Sequence, residues 1–306
     1  MSPSRSSWGG VPHFATVAKT LVTGAGGQLG RQILHLSNNS SIVSSDTTIG
    51  VTSAELDITD ARAVADAVEP GMVVINCAAY TAVDAAESDE AAASKVNADG
   101  PENLAIACAR VGARLVHVST DYVFDGTATS PYLPQSPTAP RSAYGRTKLA
   151  GEEAVLRVLP SATVVRTAWV YTGIGSDFVS TMLRLERERD TVSVVNDQIG
   201  SPTYSRDLAS GLLDLAASPS SGRPILHLTN TGTASWYELA RAVFAGVGAD
   251  PERVLACSSA EFVRPAPRPS YSVLSADAWT AAGLTPLRPW RAALTDALGE
   301  VRAGAR

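Results

Sequence analysis

A β-branched run, Thr20–Thr23, leads directly into Gly24-Ala25-Gly26-Gly27-Gln28-Leu29-Gly30 and then into a helical pattern. Glycines 24, 27 and 30 form G-x-x-G-x-x-G, and this junction restricts the fold more than any other feature of the chain. A strand must turn sharply into a helix, the backbone must approach a pyrophosphate, and the helix must pack closely on the strand. Residues without a Cβ meet all three needs, and the free amides at the helix N-terminus then face the phosphates. Tight β-α turns use glycine for packing alone, so the loop acquires meaning from its place after the first strand of an alternating chain. There it reads as a dinucleotide site.

The alternation is clear through the first half. Strands are predicted at Thr20–Thr23, Thr48–Thr52, Met72–Asn76, Arg114–Thr120 and Thr163–Arg166. Helices fall between them at Gln28–Leu36, Asp60–Val68, Glu90–Arg110 and Ala143–Leu159. Met72–Ile75 and Leu115–Val118 are continuous apolar runs, as expected of strands covered on both faces. The order predicts an α/β fold: a Rossmann-type doubly wound parallel sheet with a smaller C-terminal substrate-binding domain. Residues 1–18 read as a flexible tail and 19–170 as the dinucleotide-binding domain, completed by about 204–230. Residues 171–203 and 231–306 read as the substrate-binding part. Further helices are predicted at Phe178–Arg187, Ser205–Ala217, Trp236–Val247 and Trp290–Arg302, with a strand at Ile225–Leu228. Val263–Ser270, where Pro265, Pro267 and Pro269 alternate, reads as a rigid extended loop.

Composition narrows the partners. With 45% hydrophobic and 18% charged residues the chain reads as a soluble globular protein, and no apolar run is long enough to span a membrane. Cytoplasmic residence is the expectation. A net charge of −5 without a basic block argues against nucleic acid. Cys77, Cys108 and Cys257 are widely spaced and odd in number, so no disulfide framework is expected. The four histidines (His13, His35, His117, His227) make no metal-ligand spacing with one another or with cysteine. His117 lies in an apolar run, where a satisfied core histidine is the first reading.

The chain has only three lysines, and Lys148 stands four residues after Tyr144 in Tyr144-Gly145-Arg146-Thr147-Lys148. On a helix those side chains share a face. An ammonium beside a phenol lowers the phenol's pKa, which makes the tyrosine a usable proton donor and acceptor. The competing reading is a surface helix with a solvated lysine. The run Ser119-Thr120-Asp121-Tyr122 ends a central strand, where side chains open onto the ligand crevice of such sheets.

With Thr120, Tyr144 and Lys148 together, the chain resembles the extended short-chain dehydrogenase/reductase family. The likeness also rests on Cys77–Asp84, Ser119–Gly126, Arg166–Tyr171, Asp197–Thr203, Ser235–Tyr237 and Arg268–Ser270, in order along residues 20 to 275. It implies reduction of the C4 ketone of a dTDP-linked keto-sugar. Tyr144 would be the general acid, Lys148 its pKa-tuning partner and a ribose ligand, and Thr120 a hydroxyl on the ketone oxygen. Gly24, Gly27, Gln28, Leu29, Gly30, Ala78, Ala79 and Thr81 would line the cofactor, with Asp57 and Ile58 at adenine. Asp121, Tyr122, Trp169, Gln198 and Arg268 would hold the substrate, and the loop Arg264–Arg268 would approach its diphosphate. NADPH is the implied cofactor, with NADH also accepted, because no carboxylate follows the second strand before Glu55. Arg31 is either a phosphate partner or a solvated side chain. Mg2+ is compatible with the family, although no residue pattern points to it, and the chain would be a monomer or a weak homodimer. A 4-epimerase or 4,6-dehydratase shares the fold and the Tyr/Lys pair, but a dehydratase places Asp-Glu after the threonine where this chain has Asp121-Tyr122. A non-catalytic regulatory subunit is the rival from another class. One departure from the family stands out: Asp177 precedes Phe178 where asparagine is usual, and an acid facing a diphosphate would repel it.

Overall fold

The computed structural model describes residues 19–38, 47–218 and 222–304; the tail expected over 1–18 lies outside the described residues. Five strands follow in chain order: β1 (Thr20–Thr23), β2 (Thr48–Val51), β3 (Val73–Asn76), β4 (Arg114–Thr120) and β5 (Thr163–Thr167). With Ile225–His227 they make one six-stranded sheet, in spatial order Ile225–His227, β5, β4, β3, β1, β2. Every pairing in it is parallel. From β1 the chain passes to β2 on one side and later to β3 on the other. Strand order therefore reverses at β1, and a ligand crevice opens there beyond the carboxyl ends. The glycine loop leaves β1 at that point.

Side chains alternate across the sheet with a period of two. Val22, Ile75 and Val116 face one layer, packed under helix Gln28–Asn38 through Ile33 and under helix Ser205–Ala217 through Leu208 and Leu212. Leu21, Val74 and Leu115 face the other, against Leu104 of helix Gly100–Val111 and Val155 of helix Ala143–Val158. Burying each such side chain contributes roughly 1.5–3 kcal/mol before entropy is counted. This is the doubly wound arrangement expected from the sequence.

A further core gathers Met182, Leu239, Phe244 and the i, i+3, i+4 stripe Trp290, Ala293, Leu294, Ala297. It joins helices Phe178–Glu188, Trp236–Gly246 and Trp290–Gly304, and a parallel strand pair, Val192–Val195 with Val254–Cys257, borders it. Among the described residues no helix is long and apolar enough to cross a membrane.

One predicted element divides. The helix expected over Glu90–Arg110 is Glu90–Ser94, a π turn at Lys95–Asp99, and Gly100–Val111. Pro101 has no N–H to offer the carbonyl of Asn97, four residues back, so the α-helical ladder cannot run through. The freed carbonyl faces helix Ala143–Val158, where a Cβ on Gly151 would lie 2.0 Å from it.

Candidate active site

A cleft of about 800 Å³ runs along the carboxyl ends of β1, β3, β4 and β5. At its first end Gly24 turns the chain with φ +72°, and a Cβ there would lie 2.6 Å from the Ala78 amide nitrogen. A Cβ on Gly30 would lie 2.4 Å from the Gly24 carbonyl oxygen, so helix and loop pack as closely as the motif requires. Gly27, Gln28 and Leu29 line the same wall, and Ala78, Ala79 and Thr81 line the bank opposite. Beyond β2 lie Thr52, Ser53, Asp57 and Ile58. Asp57 accepts from the Thr59 amide at 2.9 Å, which holds its carboxyl below the usual range. Glu55 folds back to accept from the Thr52 amide and hydroxyl, both at 2.8 Å.

The middle of the cleft is built by β4 and helix Ala143–Val158. Ser142 caps that helix by accepting from the Gly145 amide at 3.1 Å. Gly145 is required because a Cβ would lie 2.2 Å from the Tyr122 carbonyl oxygen. The helix thereby brings Tyr144 and Lys148 beside Thr120, and all three line the cleft. Lys148 is 1% exposed and Nζ donates to the Val118 carbonyl at 2.8 Å, with His117 Nε2 at 3.5 Å. Burial pulls its pKa down to about 8, against an upward pull from Glu152. Glu152 is held in turn by the buried guanidinium of Arg166, at 2.6 Å.

The Tyr144 pKa lies above its ordinary value, not below it as the Tyr/Lys spacing predicts. Burial pushes the phenol up to about 12; the Thr120 hydroxyl pulls it down and Asp121 adds to the rise. The physical reason is that the Lys148 ammonium turns to the Val118 carbonyl rather than to the phenol. Tyr122 packs edge-on against Tyr144 with ring centroids 5.5 Å apart. Asp121 shares one oxygen with the Thr120 hydroxyl at 3.0 Å, and burial pushes its carboxyl up to about 6.

The far end is aromatic. Trp169 alone among the described non-glycine residues has a positive φ, +49°. Its indole stacks on Trp236 with centroids 3.5 Å apart and planes 5° from parallel. Asp177, doubtful from sequence, serves the fold by capping helix Phe178–Glu188 through the Ser180 amide at 2.8 Å. Its other oxygen gathers the Thr172 and Gly173 amides, the Thr172 hydroxyl and, at 3.3 Å, Gln28 Nε2. Those donors absorb the acceptor capacity of the carboxylate. Two expected substrate residues do not line the cleft. Gln198 donates to Ser259 Oγ at 2.8 Å, and Arg268 is paired with Asp84 at 2.9 Å. Trp236, Tyr171, Phe178 and Asp177 line it without having been expected there. Trp236 was visible as part of Ser235-Trp236-Tyr237. Asn97, which holds the Tyr80 amide (2.8 Å) and the Thr147 hydroxyl (3.1 Å), was signalled only by Pro101.

A doubly wound sheet with a glycine loop at its switch point, and a Thr/Tyr/Lys set on the neighbouring strand and helix, defines a Rossmann-type reductase of the extended short-chain dehydrogenase/reductase class. Residues 18–303 match the family model described as the RmlD substrate binding domain, and the chain belongs to the dTDP-4-dehydrorhamnose reductase family. It is 56% identical over 285 residues to the dTDP-4-dehydrorhamnose reductase of Mycobacterium tuberculosis H37Rv, covering 92% of each chain. It is 47% identical to a dTDP-4-keto-6-deoxy-D-glucose reductase of Streptomyces niveus, over 90% of this chain and 95% of that one. The crystal structure of the dTDP-4-dehydrorhamnose reductase of Bacillus anthracis in complex with NADP superposes with a TM-score of 0.86 at 36% identity, covering 93% of this chain and 100% of that chain.

Proposed function

We propose that the chain reduces the C4 ketone of dTDP-4-dehydro-L-rhamnose to give dTDP-L-rhamnose, using NADPH and accepting NADH. The observation that carries this reading is the meeting of Thr120, Tyr144 and Lys148 in one cleft with the glycine loop. Three buried polar atoms of cleft-lining residues have no protein partner: Ser119 Oγ, Thr167 Oγ1 and Tyr171 Oη. Orphaned groups of that kind suit a polar ligand, and a dinucleotide with a sugar beside it fits the donor set. The glycine loop and the Ala78–Thr81 bank would hold the dinucleotide, with Lys148 at its ribose. A reduced nicotinamide bound there supplies the hydride.

The residues do the rest. A phenol with a pKa of about 12 is fully protonated near neutral pH, so Tyr144 enters the reaction as a loaded donor. An alkoxide forming on the sugar is a stronger base than a phenolate, and the proton passes to it from Tyr144. The Thr120 hydroxyl supports the same oxygen, stabilising charge where it develops. The Trp169 face suits the C–H surface of the sugar. The Streptomyces niveus relative favours one second reading, reduction of a different dTDP-4-keto-6-deoxysugar at the same site.

The test supplies each keto-sugar with NADPH and follows loss of the reduced cofactor against product. Net NADPH consumption with dTDP-L-rhamnose as product is the expected result, and Tyr144→Phe should lower turnover by about 10²–10⁴-fold with cofactor binding retained. A folded protein that oxidises NADPH with none of these sugars, or a Tyr144→Phe variant of undiminished turnover, overturns the reading.

A further inference from the structure

A buried chain of hydrogen bonds crosses three strands behind the cleft and ends at Lys148. Thr23 Oγ1 on β1 donates to Asn76 Oδ1 at 2.7 Å, and the Ala78 amide donates to the same oxygen at 3.0 Å. A backbone N–H can only donate, so that atom must be the amide oxygen. The other end of the amide, Nδ2, is therefore a donor, and it faces His117 Nδ1 at 3.0 Å. Nδ1 must accept. The ring proton of a neutral imidazole then lies on Nε2, which faces Lys148 Nζ at 3.5 Å.

That last contact has a polarity. An ammonium has only donors, and Nε2–H is a donor, so the charged lysine meets His117 proton against proton. A neutral amine can give one proton to the Val118 carbonyl and accept from Nε2–H with its lone pair. The ring cannot escape by taking a second proton, because Nδ1–H would then oppose the Asn76 amide. Burial and the neighbouring lysine accordingly hold the His117 pKa well below its ordinary value.

We infer that His117, locked in its Nε2–H tautomer by Asn76, is a positioning residue that destabilises the ammonium form of Lys148 and so sets the pH at which the site loses that charge. The inference rests on the reading of Lys148 as part of the cofactor and reaction site. The other groups that face Lys148 are Glu152 on its own helix and Cys77 at the end of β3. Glu152 favours the charge but is itself held by Arg166. The Cys77 thiol is pushed up to about 12 by burial and is neutral across the working range. Among these neighbours only His117 presents a fixed donor to Nζ.

With three lysines in the chain, protein labelled at the lysine side-chain nitrogen yields a spectrum in which Lys148 is assigned by its loss in Lys148→Arg. In the parent its midpoint should lie near pH 8. His117→Asn keeps an acceptor for Asn76, and its own Nδ2 ends one bond short of the Nε2 position, so no donor is held against Nζ and the Lys148 midpoint should rise by about one unit or more. Asn76→Asp should move the ring proton to Nδ1, visible in the imidazole nitrogen shifts, and turn a lone pair toward Nζ. This variant is a second route should the first fail to fold. A Lys148 midpoint unmoved in His117→Asn, or a ring carrying its proton on Nδ1 in the parent, overturns the inference; a purely structural role for His117 would lower stability and leave the midpoint in place. The alkaline limb of kcat/KM, measured alongside, separates the two claims. If the lysine midpoint moves and the limb does not, the tuning by His117 stands and the part given to Lys148 in turnover falls.

Discussion

Gly200 offers the sharpest test of how the aromatic end of the cleft is held. It lies in the short strand Ile199–Gly200, paired antiparallel with Ala234–Ser235, directly behind the Trp169 indole. A Cβ at this position would stand 2.3 Å from Trp169 Cε2 and 2.6 Å from both Cζ2 and Nε1. Ordinary contact begins at 3.4 Å, so the ring must shift by about 1 Å. It has nowhere to retreat, since Trp236 covers the opposite face with ring centroids 3.5 Å apart. Its backbone is already in the left-handed region, a conformation that costs a residue with a side chain about 1–2 kcal/mol and persists only where the surroundings fix it. Gly200→Ala should lower stability by about 1–3 kcal/mol, the usual cost of overpacking. With Trp169 placing the sugar as proposed, its displacement by about 1 Å should lower kcat/KM for the keto-sugar by roughly 10²-fold. NADPH binding, followed by nicotinamide fluorescence, should be unchanged, because the glycine loop lies at the other end of the cleft. Adding Trp169→Phe should relieve the clash, so the stability cost of the alanine should shrink in that background. A Gly200→Ala protein with parental kcat/KM would refute the argument that Trp169 is held in place for the substrate.

Two further perturbations test the buried charges. Glu152→Gln leaves the Arg166 guanidinium, 2% exposed, without its carboxylate; denaturant unfolding should show a loss of about 3–5 kcal/mol, and an unchanged midpoint would mean that the pair is not energetically coupled. The Asp121 carboxyl, lifted by burial from 3.8 to about 6, keeps a proton in the folded chain that the unfolded chain has released. Stability should thus fall as pH rises through that window, with the penalty complete above it. Asp121→Asn should be more stable at pH 7 by about 1–3 kcal/mol and lose most of that slope; equal stability curves for variant and parent would show that Asp121 is not penalised by burial.

Much of the frame was legible because local physics decided it. Strand β4 and helix Ser205–Ala217 fall on the residues that the apolar run and the helical period indicated. The glycine loop declared the switch point, since Gly24 and Gly30 leave no room for a Cβ there. Other parts depend on partners distant in sequence. Val192–Val195 and Val254–Cys257 pair across some sixty residues, and neither carries a local signal of the other. Trp236 could be seen as part of a motif, but not that its ring would support Trp169.

At Tyr144 the phenol and the lysine share a cleft as their spacing predicts, but the phenol's pKa moves up rather than down. A separation of four residues places the phenol and the ammonium on one helix face, but it does not say where a flexible lysine tip will go. That is decided by what β4 presents: the Val118 carbonyl accepts from Nζ, and His117, turned by Asn76, faces it from the side. The phenol, buried and without the ammonium beside it, has its pKa pushed up. In the proposed reduction this would be the useful state, since Tyr144 would have to arrive protonated and give that proton to a stronger base.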